Sequence, residues 1–264
     1  MDWLGKILLQ ANIFNPTPHY QNTIIYVAPK ATAHVVTPME TYVLGDIHGA
    51  FRALEQVLER SPFRPGIDRL VQIGDVSDGW PETPECVERL LSIPNSIWLQ
   101  GNHDWWTTEW MATQLPLADV DTMWYTQGGK ATYDAYQRVG EDIMLRHFKA
   151  FFGEQIAYFE DERHNLYVHG GYDPEDPIEV QDPYDLVWNR ELWRNGEIAH
   201  GYPNCFIGHT PTWPSSELPV QRANVWNIDQ GAAYGGKLTL MNVRTKKFVQ
   251  SDTVQGLYPS VKGR

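Results

Sequence analysis

Short apolar runs alternate with helical patterns along most of the chain. Residues 42–44 form an apolar run typical of a strand, and from Phe51 the apolar residues recur at helical spacing. Further strands are predicted at residues 69–73, 96–99, 165–168 and 204–207, and an amphipathic helix is predicted around residues 86–91. This alternation predicts an α/β domain in which helices cover a sheet.

The two ends and the middle of the chain depart from this alternation. Residues 1–40 are broken by four prolines and are predicted to be an N-terminal extension with one short edge strand at residues 23–27. We expect one domain over residues 41–250 and a C-terminal tail over residues 251–264. The region after Asn224 is expected to contain strands and turns only.

The stretch from residue 105 to residue 164 is predicted to be mostly helical. One helix is expected from Trp105 to Leu115 and another from Thr132 to Phe152, with a loop at residues 127–129 between them. We expect this stretch to form a helical cap.

Composition fits a globular protein. Hydrophobic residues make up 42% of the 264 residues and the mean hydropathy is −0.43. No run approaches the roughly 20 apolar residues that a membrane span needs. The first residues lack the features of a signal peptide, so a cytoplasmic location with no membrane partner is expected. The two cysteines, Cys86 and Cys205, are expected to be buried thiols.

The formal charge of −12 argues against non-specific binding to nucleic acids, which relies on lysine and arginine. A bound phosphate would need a local positive centre, which metal ions could supply.

Polar clusters flanked by glycine follow five of the strand-like runs. Glycine allows the chain to turn sharply, and strand ends meet at one edge of an α/β sheet, so these clusters are expected to converge. Each cluster alone is an ordinary turn, but five in succession indicate a site. They are Gly45-Asp46-Ile47-His48-Gly49, Gly74-Asp75-Val76-Ser77-Asp78, Gly101-Asn102-His103-Asp104, His169-Gly170-Gly171 and Gly208-His209-Thr210.

The side chains that converge are carboxylates, a carboxamide and imidazoles. This set suits a divalent cation such as Mn²⁺, Fe²⁺ or Zn²⁺, and it contains no cysteine. A carboxylate can bridge two metals about 3.5–4 Å apart, and Asp75 is the candidate for that bridge.

The motif series Asp46-x-His48, Asp75, Gly101-Asn102-His103-Asp104, His169 and Gly208-His209-Thr210 resembles that of the calcineurin-like metallophosphoesterases, in particular the phosphoprotein-phosphatase branch with its bacterial and phage members. Residues 124–136, 187–190 and 228–239 also resemble segments of bacterial relatives. The resemblance covers roughly residues 42 to 241. It implies a four-layer sandwich of two mixed β-sheets flanked by helices.

The resemblance also implies roles for individual residues. Asp46, His48 and Asp75 would hold one metal, and Asp75, Asn102, His169 and His209 the other. Both metals are expected to be Mn²⁺, with iron or zinc as alternatives, and a hydroxide bridging them would attack phosphorus. His103 would protonate the leaving group, Asp78 would orient His103, and Arg190 would grip the phosphate.

Two positions differ from the phosphoprotein-phosphatase pattern. Gly79 stands where a phosphate-binding arginine is usual, and Lys130 or another cation would have to compensate. Asp104 replaces the usual glutamate and matches the neighbouring branch of symmetrical diadenosine tetraphosphate hydrolases.

Three functions follow from these observations. The first is hydrolysis of phosphate monoesters on phosphorylated proteins or small molecules, as in a serine/threonine phosphatase. The second is hydrolysis of dinucleoside polyphosphates or nucleotide-capped RNA ends. It is favoured by Asp104, by the arginine missing at Gly79, and by three tryptophans that could stack on a base, Trp80, Trp105 and Trp106. The third, suggested only by Gly79, is an inactive phosphate-binding scaffold.

Overall fold

In the computed structural model of the protein, residues 39–113 and 122–264 are described. The N-terminal extension predicted over residues 1–40 and its edge strand therefore lie almost wholly outside the described residues, and the predicted division into extension, domain and tail stays a prediction. No helix within the described ranges is both long and apolar enough to cross a membrane. The expected cytoplasmic location also stays a prediction.

Two mixed five-stranded sheets form the centre of the fold. In the first sheet three parallel strands are extended by two antiparallel ones, in the order β10-β9-β1-β2-β3. Its strands are β1 (Thr41–Leu44), β2 (Arg69–Gln72), β3 (Ser96–Trp98), β9 (Thr239–Asn242) and β10 (Phe248–Gln250).

The second sheet has three parallel strands at its centre and one antiparallel strand at each edge, in the order β4-β5-β6-β8-β7. Its strands are β4 (Tyr158–Glu160), β5 (Leu166–Val168), β6 (Cys205–Ile207), β7 (Val220–Arg222) and β8 (Val225–Asn227). The five strands predicted between residues 42 and 207 are all present, with ends that differ by one residue.

In chain order, the helices lie between strands or follow the last strand. Those of the first half are α1 (Phe51–Arg60), α2 (Thr83–Leu91), α3 (Asn102–Thr113), α4 (Thr122–Trp124), α5 (Lys130–Val139) and α6 (Glu141–Ala150). Those of the second half are α7 (Pro183–Trp188) and α8 (Glu191–Arg194), and α9 (Val254–Leu257) follows the last strand. Three-residue 3₁₀ helices lie at Phe152–Glu154, Ile178–Val180 and Ala232–Tyr234.

Three apolar clusters hold these layers together. Buried residues on the outer face of the first sheet pack against its helices, and a smaller cluster joins the second sheet to α7 and α8. Between the sheets, Val43 and Val71 of the first sheet meet Tyr167 and Phe206 of the second. The predicted four-layer arrangement of two mixed sheets flanked by helices is confirmed.

The predicted helix from Thr132 to Phe152 was wrong, because Gly140 divides it into α5 and α6. Gly140 has φ +93°, a left-handed conformation that glycine adopts without steric cost and that a helix interior does not permit. At the loop predicted over residues 127–129 the chain does have a kink, because Gln127 (φ −90°, ψ 20°) and Gly128 (φ 106°, ψ −8°) depart from helical geometry before α5 begins. The short helix α9 was also missed, since strands and turns alone were expected after Asn224.

Candidate metal centre and catalytic site

The six predicted metal ligands follow strands of both sheets. Asp46 and His48 come after β1, Asp75 after β2 and Asn102 after β3. On the second sheet, His169 follows β5 directly and His209 follows β6 after one glycine. All six side chains are at most 5% exposed. The two sheets therefore contribute the two halves of one buried cluster.

Asp75 lies at the centre of this cluster. One set of possible ligand atoms, from His48, Asp75 and His103, lies within 4.8 Å of one another, and so does a second set from Asp75, His169 and His209. The Asp75 Oδ2 atom is 3.5 Å from His48 Nε2 and 3.3 Å from His169 Nε2. Asp75 alone belongs to both sets, which is the position that a bridging carboxylate needs.

Backbone carbonyl groups orient two of the histidine rings. The Nδ1 atom of His48 donates to the carbonyl oxygen of Asp78 at 2.8 Å, and that of His169 donates to Ile73 at 2.9 Å. Because a carbonyl oxygen only accepts, Nδ1 carries a hydrogen in both rings, and Nε2, which faces Asp75, is the nitrogen that could bind a metal. Such contacts fix the tautomer in metal-binding histidines.

Asp46 and Asn102 complete the cluster without belonging to either set of three. The Asn102 Oδ1 atom lies 3.3 Å from His169 Nε2. The Asp46 Oδ2 atom accepts a hydrogen bond from the backbone N–H of His209 at 3.0 Å. Among the described residues, Asp46 Oδ1 and His209 Nε2 are buried with no hydrogen-bond partner. Unpartnered buried polar atoms are costly, and bound divalent cations would satisfy both, so the donor set fits metal binding.

The charges of the cluster support the same conclusion. Burial, and then the neighbouring Asp229 carboxylate, raise the pKa of Asp46 well above its usual range. Burial opposes the charged form of His169, but the Asp75 carboxylate outweighs it and raises the pKa of His169 to about 9. The buried Asp75 carboxylate thus favours positive charge beside it, as it would favour a bound cation.

The backbone at four of these polar residues is left-handed. His48, Asp75, Asp78 and His209 have φ values of +53°, +56°, +70° and +63°. This region is sparsely populated by residues other than glycine, and such residues gather at functional sites. The conformation turns each chain segment sharply after its strand and aims the side chain into the cluster.

A hydrogen-bonded chain leads from the cluster to Trp124. His103, in the first turn of α3, has its Nδ1 atom 3.0 Å from Asp78 Oδ2. The same Asp78 oxygen accepts the indole N–H of Trp124 at 2.8 Å, and the Asp78 N–H donates to Thr132 Oγ1 at 2.9 Å. Burial raises the pKa of Asp78 to about 7 and lowers that of His103 to about 3.

Asp104 fastens the loop after β2 to the start of α3. Its Oδ1 atom accepts the backbone N–H groups of Val76 at 2.9 Å and Ser77 at 3.1 Å. Its Oδ2 atom accepts the side-chain amide of Gln155 at 2.9 Å and the Gly101 N–H at 3.3 Å. The aspartate that departs from the phosphoprotein-phosphatase pattern therefore positions the loop that carries Asp75.

Arg190 lies beside the second half of the cluster. Its Nη1 atom donates to the His209 carbonyl oxygen at 2.8 Å and to Thr210 Oγ1 at 2.9 Å. The side chain is half-buried, and burial lowers the pKa of its guanidinium. The structure thus places Arg190 next to the predicted ligand His209.

Trp80, one of the three tryptophans considered for base stacking, is not accessible to a substrate base. It is fully buried, stacks on Tyr258 at 5.1 Å between ring centroids, and donates its indole N–H to the Ala232 carbonyl oxygen. Trp106 remains beside the cluster: its ring centroid lies 5.1 Å from that of His103 and 5.1 Å from that of Trp188. Trp188 in turn lies 5.9 Å from the His209 ring.

Sequence reasoning missed several residues that contact the site. Trp124 and Thr132 hold Asp78, and Asp229 acts on the charge of Asp46. Arg264 has its Nη1 atom 2.5 Å from His103 Nε2. The segments around Trp124 and Asp229 were noticed through the family resemblance, but no local signal distinguished these side chains. For Arg264 no signal was present.

Comparison with known proteins agrees with this geometry. The profile of the family described as calcineurin-like phosphoesterase matches residues 39–243. Serine/threonine-protein phosphatase 1 of Salmonella typhimurium is 30% identical over 216 residues, which cover 77% of this chain and 91% of that protein. A symmetrical bis(5'-nucleosyl)-tetraphosphatase of Pseudomonas putida is 26% identical, covering 81% of this chain and 93% of that protein.

Solved structures show the same fold. A protein serine/threonine phosphatase from Saccharomyces cerevisiae aligns with a TM-score of 0.55 at 14% identity, covering 87% of this chain and 84% of that chain. The family matched by the profile uses divalent metal ions, and the buried histidine and aspartate groups described above can hold them. The chain therefore belongs to the calcineurin-like phosphoesterases and is a metal-dependent phosphoester hydrolase.

Proposed function

We propose that the chain is a phosphomonoesterase of the phosphoprotein-phosphatase type, acting on phosphoserine and phosphothreonine and on small aryl phosphates. The single observation that carries this proposal is the position of Asp75, shared by two sets of metal-capable side chains, with the His103–Asp78 pair directly beside it. The related Salmonella protein, named as a serine/threonine phosphatase, supports the substrate class.

We assign the six ligands to two divalent cations. Asp46, His48 and Asp75 would hold one, and Asp75, Asn102, His169 and His209 the other, with Mn²⁺ as the expected metal. Two such ions would supply a hydroxide nucleophile at neutral pH and would draw electron density from the phosphoryl oxygens. The unpartnered Asp46 Oδ1 and His209 Nε2 atoms support this assignment, as one comes from each half of the cluster.

The remaining residues handle the proton and the phosphate. Asp78 holds the Nδ1 side of the His103 ring, so Nε2 is the atom available to give a proton to the leaving oxygen. Arg190 is fixed by one guanidinium nitrogen, through His209 and Thr210, which leaves its other N–H groups for phosphoryl oxygens.

The experiment is Mn²⁺-dependent hydrolysis of p-nitrophenyl phosphate and a phosphothreonine peptide by wild type, Asp75→Asn and His103→Asn. Asp75→Asn is expected to lose metal and activity together. His103→Asn is expected to retain metal, measured by elemental analysis, while kcat falls about 10²- to 10⁴-fold. His164→Asn is the matched control, because His164 is exposed. Unchanged rates in both site variants would refute the proposal.

A second candidate function is hydrolysis of dinucleoside polyphosphates. The aromatic pair Trp106 and Trp188 lies against both His103 and His209, where a base could stack, and the Pseudomonas putida relative is named for that activity. Turnover of diadenosine tetraphosphate and of the phosphopeptide by one preparation separates the two. A higher kcat/KM for the dinucleotide, lost in Trp106→Ala, would favour this second function.

A further inference from the structure

Arg264 reaches the site from a segment that follows the last strand of the first sheet. Its Nη1 atom lies 2.5 Å from His103 Nε2, and its Nε and Nη2 atoms donate to Gln127 Oε1 at 3.1 and 2.5 Å. Its backbone N–H donates to the Ala233 carbonyl oxygen at 3.1 Å. The guanidinium therefore sits at the histidine that we assign to leaving-group protonation.

The segment that carries Arg264 is firmly packed. Val254 and Tyr258 are buried, and the Tyr258 ring stacks on Trp80 while its hydroxyl donates to Glu82 and accepts the Arg52 N–H. Gly263 lies against the Trp80 ring so closely that a Cβ atom there would stand 2.5 Å from it. These contacts fix where Arg264 enters the site.

Gly79 faces this segment. A Cβ atom built on Gly79 would lie 3.9 Å from the Arg264 Cβ, so the two side-chain origins are neighbours. Gly79 has φ +123°, a backbone conformation that L side chains rarely adopt. The loop after β2 is thus unsuited to carry an arginine at this position, and Arg264 brings a guanidinium to the same place from another part of the chain.

The guanidinium of Arg264 is not paired with a carboxylate in the part of the chain that the structure describes. Within residues 39–113 and 122–264, no carboxylate forms an ion pair with Arg264, although most other arginines of these ranges pair with aspartate or glutamate. Its partners are an imidazole nitrogen and an amide oxygen, both neutral acceptors. Three of its five N–H groups are engaged, and two are left for an anion.

We propose that Arg264 is a substrate-binding residue that binds the phosphoryl group. It would take the role of the phosphate-binding arginine that is usual at the position of Gly79. This inference rests on the proposed function. The planar fork of arginine binds two phosphoryl oxygens at once, and the incoming phosphate supplies the missing negative charge. When the guanidinium binds phosphate it moves away from His103, and this movement releases His103 Nε2 from its present contact.

Gln127 takes a defined role in this arrangement. Gly128 approaches the Gly79 backbone closely, with the Gly79 N–H donating to the Gly128 carbonyl oxygen at 3.1 Å, and Gln127 then holds two guanidinium nitrogens through one oxygen. The Gln127-Gly128 pair therefore positions Arg264 relative to the loop after β2.

The test measures binding of inorganic phosphate to the Mn²⁺-loaded full chain by calorimetry, and then kinetics with p-nitrophenyl phosphate. Arg264→Ala is expected to weaken phosphate binding about 10-fold or more and to lower kcat/KM about 10- to 100-fold. Arg264→Lys, which keeps the charge without the fork, should fall between wild type and Arg264→Ala. Lys262→Ala is the matched control, since it removes an exposed positive charge from the same segment.

The outcomes separate this inference from the proposed function. Phosphate affinity is measured without turnover, so an inactive wild type would reject the phosphatase proposal alone. Equal phosphate affinity in wild type, Arg264→Ala and Lys262→Ala would overturn the role of Arg264. Faster turnover in Arg264→Ala would also overturn it, because the guanidinium would then act as an inhibitory contact on His103.

Discussion

The Trp124 indole N–H donates a 2.8 Å hydrogen bond to the Asp78 oxygen that also faces His103. Both residues are buried, at 2% and 0% exposure. Trp124 therefore orients the Asp78 carboxylate, and Asp78 in turn orients His103, the proposed general acid. Because Trp124 precedes α5 and Asp78 follows β2, the helical stretch after α3 takes part in the site directly.

This relationship predicts the effect of Trp124→Phe. The change leaves a buried carboxylate oxygen with one fewer donor, which costs about 1–3 kcal/mol of unfolding free energy. We expect kcat to fall about 10-fold, since a fraction of His103 rings would be misplaced, while bound metal is unchanged. Steady-state kinetics, elemental analysis and urea unfolding give the three readouts.

Trp98→Phe is the control for Trp124→Phe. The Trp98 indole nitrogen has no hydrogen-bond partner among the described residues. Trp98→Phe therefore tests the effect of replacing an indole by a smaller ring without the loss of a hydrogen bond. Equal losses of kcat in the two variants would show that the contact with Asp78 is unimportant.

Removal of metal is expected to lower the stability of the fold. Asp46, Asp75 and Asp229 are buried together, and cations held there would stabilise the folded state by mass action. At a metal concentration 100 times Kd the gain is about 2.7 kcal/mol. Calorimetric Tm should therefore fall after chelation and recover with Mn²⁺. The Tm of Asp75→Asn should respond to neither treatment, and a full Mn²⁺ response in that variant would contradict the ligand assignment.

His147 is expected to make stability depend on pH, away from the site. Its buried ring contacts Glu88 through Nε2 at 3.0 Å and the Tyr136 hydroxyl through Nδ1 at 2.9 Å, and Arg146 also pairs with Glu88. Burial disfavours the imidazolium more than Glu88 favours it, so the pKa of His147 is lowered from 6.5 in the folded protein.

The sign of this dependence follows from proton counting. Below pH 6.5 the unfolded chain binds the His147 proton more readily than the folded one, so stability falls as the pH drops through that value toward the lower folded pKa. Urea midpoints at pH 7 and pH 5 measure it. His147→Gln should reduce the difference between the two midpoints, and an unchanged difference would assign the slope to other groups.

Phe206 is expected to couple the two sheets to metal binding. It is fully buried between them, with its ring stacked 5.2 Å from that of Tyr167, and it lies on the strand that leads to His209. Phe206→Ala should cost about 3–5 kcal/mol and also weaken Mn²⁺ affinity, because the halves of the cluster would be held less firmly.

The control for Phe206→Ala is Leu192→Ala in α8. Leu192 is buried on the outer side of the second sheet, away from the seam between the sheets. The Leu192→Ala variant should have a lower free energy of unfolding but nearly the same Mn²⁺ affinity as the wild type, and calorimetry measures both quantities. Equal affinity losses would attribute the effect to general destabilisation.

The sequence predicted those parts of the molecule that depend on local pattern. Asp46, Asp75 and His209 were found because each follows an apolar run and a glycine, and the fold brings strand ends together. Arg264 and Trp124 were missed because their places depend on packing between distant segments. Gly140 shows a local failure: the amphipathic pattern continued across a glycine whose backbone ends the helix.

The backbone at His48, Asp75, Asp78 and His209 is left-handed, a conformation that favours glycine, whereas the proposed chemistry needs the side chains of these four residues. Glycine would adopt these conformations without steric cost, so a glycine at any of the four positions is expected to relax the turn after its strand. The same replacement would delete an imidazole or a carboxylate from the cluster. Selection for thermal stability alone would therefore be expected to replace these four residues by glycine and to remove side chains that the proposed reaction needs.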